Sequence, residues 1–86
     1  MDRNDTPRLT TAQIRVGDFL IRAEDYLGRP NCRYRVSAIL RQGVRQFQLD
    51  GYWSQSPQTA KSLSAENITQ VERDGQIIGH FFVSYW

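Results

Sequence analysis

Between Arg33 and Asp50 apolar and polar residues alternate with the period of a β-strand. Tyr34, Val36, Ala38 and Leu40 interleave with Arg33, Arg35, Ser37 and Arg41, so one set faces a core and the other faces outward. Gln42-Gly43 interrupts the pattern, and glycine supplies the positive φ that a tight hairpin needs. The return stretch puts Arg45, Phe47 and Leu49 on one face and Val44, Gln46 and Gln48 on the other. A second hairpin closes the chain. Ile68–Arg73 and Gln76–Trp86 flank Asp74-Gly75, the strongest short hairpin signal. A two-residue turn there predicts Val71 opposite Ile78 and Ile68 opposite Phe81.

The final stretch is apolar on both faces, with Ile77, Phe81, Val83 and Tyr85 on one and Ile78, Phe82 and Trp86 on the other. A strand of that kind is covered on both sides. The second face predicts an interface, with a homodimer through the C-terminal strand as its simplest cover. The competing cover is the Leu9–Ile14 turn of the same chain.

Elsewhere the pattern is short-ranged. Thr10 and Gln13 form a capping-box pair, and Leu9 and Ile14 a hydrophobic staple around a helical turn that Gly17 ends. Phe19–Ile21 reads as a first strand and Ala23–Asn31 as a loop. Ser54–Gln58 is a second loop, Thr59–Leu63 a short strand, and Ser64–Asn67 a helical turn capped by Ser64. Residues 1–8 read as a flexible tail and residues 9–86 as one domain. The predicted core is Phe19, Ile21, Tyr34, Val36, Leu40, Phe47, Leu49, Ile68, Phe81 and Val83.

These elements predict an all-β, mainly antiparallel fold: five or six strands in a small barrel or strongly bent sheet, with one-turn helices. The succession of a Gly17-Asp18 step into the first strand, a long loop, a central hairpin and a helical turn before the last strands resembles an SH3-like barrel. That resemblance is one of topology. It implies a binding module but does not choose the ligand, because such barrels host peptide, nucleic-acid and enzymatic sites alike.

Composition narrows the chemistry. A length of 86 residues suits one modest core. No apolar run approaches the span of a membrane helix. The start, MDRNDTPRLT, has the character of neither a signal nor a transit peptide. Cys32 is the single cysteine, which excludes an internal disulfide and a thiolate-built zinc cluster and points to a cytoplasmic setting. His80 is the single histidine, and a structural role in an apolar strand outweighs a dyad with Cys32. No metal-ligand spacing or Gly-rich phosphate loop is present, so no catalytic residue, metal or cofactor is expected.

Net charge is only +2, yet Arg29, Arg33, Arg35, Arg41 and Arg45 fall in a stretch from Tyr26 to Leu49 with no acid. Arg33, Arg35 and Arg41 are expected on one outward face. Arg45, Tyr52 and Trp53 complete the candidate binding residues. Three readings stay open for them. The arginines are a solvated outer face, a nucleic-acid surface with Tyr52 and Trp53 stacking bases, or a protein-binding surface. The first functional expectation is a non-catalytic module that binds nucleic acid or a nucleoprotein machine. The alternative is a protein-interaction or inhibitor protein, of the kind mobile elements encode.

Overall fold

A computed structural model describes residues 6–24, 30–42, 44–52, 55–64 and 68–81. They form six antiparallel strands in one sheet: β1 (Phe19–Glu24), β2 (Pro30–Gln42), β3 (Val44–Asp50), β4 (Gln58–Thr59), β5 (Thr69–Arg73) and β6 (Gln76–Phe81). Their spatial order is β4-β3-β2-β1-β5-β6, and the sheet does not close. Among the described residues one 3₁₀ turn (Thr11–Gln13) and one short helix, α1 (Ala60–Ser64), accompany it. The all-β class is as expected; a closed barrel is not what forms.

The core lies on one face of the sheet. Leu20, Val36, Phe47, Leu63 and Val71 are fully buried there, with Ile14, Tyr34, Leu49 and Phe81 around them. The alternation in β3 holds as read, since Phe47 and Leu49 are buried while Gln46 and Gln48 are half-buried. In β1 the phase is the reverse of the expected one. Leu20 pairs with Tyr34 on one side and Val71 on the other, so Leu20 enters the core. Phe19 and Ile21 stay half-buried on the opposite face. Two apolar residues outvoted one in the local pattern, but cross-strand partners set the face.

Two bulges correct the remaining registers. In β2 the pairing steps from Val36 opposite Leu49 to Ala38 opposite Gln48, leaving Ser37 as the extra residue. An extra residue inverts the alternation beyond it. Ile39 therefore pairs with Phe47 and packs against the core, while Leu40, expected inside, is exposed. In β6 the turn is as predicted: Arg73 pairs with Gln76, and Asp74 and Gly75 have φ of 54° and 81°. Ile78 is then the extra residue, so Val71 faces Gly79 and Thr69 faces Phe81. Ile78, expected at an interface, packs against the core, and Ile77, placed by the alternation on the same face as Phe81, is exposed.

The predicted strand over Thr59–Leu63 is instead the end of β4 followed by α1. Thr59 caps that helix: its Oγ1 accepts from the Ser62 N–H at 3.2 Å, and the Thr59 N–H donates to Ser62 Oγ at 3.1 Å; the turn expected over Ser64–Asn67 lies, beyond Ser64, outside the described residues. At the N-terminus the Thr10 N–H donates to Gln13 Oε1 at 2.8 Å, as expected of a capping box. From Thr6 onward the chain lies against β6. The Leu9 N–H donates to the His80 carbonyl at 2.7 Å and the His80 N–H to the Pro7 carbonyl at 2.9 Å. Pro7–Leu9 thus covers the outer edge of β6 where an apolar strand would otherwise be open. Val83, Phe82, Tyr85 and Trp86 lie outside the described residues, as do Gly43 and Trp53.

Candidate binding surface

The face of the sheet away from the core carries two of the expected arginines, in company the sequence pattern did not show. Arg33 and Arg35 are both exposed on β2. Strand β1 lies beside them and β5 beyond it, so Phe19 stands between Arg35 and Glu72 in one cross-strand row. The Arg33 guanidinium lies over the Phe19 ring, 3.7 Å from its centroid, a cation–π contact. From there it forms an ion pair with Glu72, its Nε donating to Oε1 at 3.1 Å. Arg35 reaches the other way and pairs with Asp50 at 3.2 Å. Each arginine is therefore matched by a carboxylate remote in sequence, Asp50 on the neighbouring strand and Glu72 two strands away.

Arg41 does not belong to this row by register. It pairs with Arg45 on the far side of the Ser37 bulge, and the alternation counted from Arg33 is broken before it. Arg45 sits on the core side, in series with Phe47. Its guanidinium lies 5.9 Å from the Phe47 centroid and donates from Nη2 to the Ile14 carbonyl at 3.3 Å. Arg45 is half-buried at the core edge. Tyr52 is also a core residue, 9% exposed, its ring edge-on to Tyr34 at 4.7 Å between centroids. The expected stacking platform of Tyr52 with Trp53 is thus not built from Tyr52.

A second ionic site was not foreseen. Asp18 is buried, and Arg73 holds it side-on: Nε donates to Oδ1 at 2.8 Å and Nη2 to Oδ2 at 2.7 Å. The Arg15 N–H adds a bond to Oδ2 at 2.9 Å. Burial by itself pushes the Asp18 carboxyl up, but the hydrogen bonds and charges of Arg73 and Arg15 outweigh it, and the net shift is below the ordinary value. The Arg73 guanidinium is correspondingly raised, mainly by its bond to Asp18. Asp18 also ties the loop to β2, because the Val36 N–H donates to the Asp18 carbonyl at 2.8 Å. The pair is a fastening, not a free acid–base set.

His80 is buried, with Nδ1 2.9 Å from Thr6 Oγ1. Cys32 lies on β2, with β1 and β5 between it and the His80 strand. Among the described residues no group of His, Cys, Asp and Glu gathers to hold a metal ion. No helix among them is long and apolar enough to cross a membrane.

The fold and surface define a small open-sheet β domain with a mixed-charge, aromatic outer face. No family model, curated protein or solved structure matches the chain.

Proposed function

We propose that this chain is a non-catalytic binding module whose outer sheet face engages a protein partner. The observation that carries this reading is the Phe19–Arg33–Glu72 arrangement with its neighbour, the Arg35–Asp50 pair. A surface that neutralises phosphates needs arginines whose charge is not already matched. Here the two exposed arginines of this sheet face, Arg33 and Arg35, each have a carboxylate, and Arg33 is stacked on the half-buried Phe19. Arginine on an aromatic, with apolar Ile21 beside it and ion pairs at the rim, has the composition of a protein hot spot. The resemblance to SH3-like barrels supports a binding role by analogy only. The lone thiol of Cys32 fits work in the cytoplasm.

Two measurements test the proposal together. The first is binding to single-stranded and duplex nucleic acid over a salt series, where no steeply salt-dependent binding is expected. The second is partner capture by the wild type compared with Phe19→Ala and Arg33→Ala, with Leu40→Ala as an exposed control. Loss in the first two variants and retention in the control is the expected result. Tight nucleic-acid binding whose salt slope flattens in an Arg33→Ala/Arg35→Ala variant would replace this reading with the nucleic-acid one.

A further inference from the structure

From the hydrogen-bonding of Arg22 we infer an anion-binding site on the core side of the sheet, which accepts the oxyanion of a carboxylate or phosphate ligand. Arg22 stands in β1, two residues along from the fully buried Leu20, and is itself only 9% exposed. Its hydrogen bond runs from Nη1 to Tyr52 Oη at 3.3 Å, and its Nε is buried with no partner. Among the described residues no carboxylate pairs with it: the ion pairs go to Arg33, Arg35 and Arg73. A buried guanidinium held by one neutral hydroxyl is an uncompensated cation, and an unpaired buried N–H adds to the cost.

The same chain shows what completes such a group. Arg73 grips Asp18 through its Nε and Nη2, and Arg33 turns the same edge to Glu72. Arg22 spends Nη1 on Tyr52 and keeps that Nε edge for another acceptor. A planar carboxylate or a phosphate matches its geometry with two parallel bonds. The Tyr52 hydroxyl holds the guanidinium from one side, and the Tyr34 ring, edge-on to the Tyr52 ring, braces that tyrosine. This site lies on the opposite face from the arginine–aromatic surface, so it stands or falls independently of the protein-binding proposal.

The test titrates the intact protein with inorganic phosphate and, separately, with acetate, ionic strength held constant with sodium chloride. Readouts are the Arg22 Nε–H resonance and the melting temperature. A saturable shift of that resonance, with a rise in melting temperature that Arg22→Met abolishes and Arg33→Ala/Arg35→Ala retains, is the expected result. Earlier saturation by phosphate assigns a phosphate-bearing ligand, and earlier saturation by acetate a carboxylate. If Arg22→Met does not fold, the wild-type resonance decides. A resonance that neither anion moves, or a thermal rise that survives Arg22→Met, overturns the site.

Discussion

Asp18 shows most clearly how a single residue gains its role from partners it cannot specify alone. It is a short acid after a glycine, which reads locally as a turn residue. In the fold its carboxylate takes both forks of Arg73 and one backbone N–H while its carbonyl holds β2. Because its pKa is lowered on folding, the native state binds fewer protons than the unfolded chain as pH falls through the ordinary aspartate range. The stabilisation is present in full above about pH 4 and is lost as pH drops through the folded value. Asp18→Asn should therefore lower stability at neutral pH by about 1–3 kcal/mol and flatten the acid limb of the stability curve. Denaturant melts between acid and neutral pH check both. An unchanged acid limb would mean that other carboxylates carry it.

At the scale of elements, the two hairpins differ in what decides their register. The β5–β6 turn is local, because Asp74 and Gly75 both occupy positive φ, and aspartate followed by glycine is among the few residue pairs that do so readily. Gly75→Val should cost about 1 kcal/mol or more, since a β-branched residue is strained at φ of 81° while no atom crowds the site. A melting temperature equal to wild type would show that the turn adopts another type. The bulges at Ser37 and Ile78 carry no such mark. Each shows only in the cross-strand pairing, where Ile39 stands opposite Phe47 in one and Gly79 opposite Val71 in the other.

For the whole molecule, the decisive contact joins the beginning of the described chain to its last strand. Pro7–Leu9 passes so close to Gly79 that an added Cβ would stand 2.5 Å from Leu9 Cγ and 2.7 Å from the Pro7 carbonyl oxygen. Glycine is required there by approach rather than by φ. Gly79→Ala should expel the segment at a cost of about 1–3 kcal/mol, and the His80 amide should lose protection from hydrogen exchange. The freed edge of β6 should then pair with another copy, so light scattering should show concentration-dependent association absent from the wild type. A wild type that is already a stable dimer would show that the Pro7–Leu9 cover does not prevent association.

What the sequence determined by itself was whatever a few neighbouring residues fix: the Asp74-Gly75 turn, the Thr10–Gln13 cap, the alternation of β3 and hence the all-β class. Steric and hydrogen-bonding preferences within a turn act over four or five residues, and they are legible in any window of that length. Tertiary structure alone decided the phase of β1, the inversion of β2 after Ser37 and the pairing of Arg33 with Glu72, 39 residues away in sequence. It also turned Arg22 inward, although β1 carries two larger claims on the core in Phe19 and Ile21. The physical reason is the period of two. A strand offers either face equally, and burial against partners from distant segments selects one, so a single extra residue reassigns every side chain beyond it.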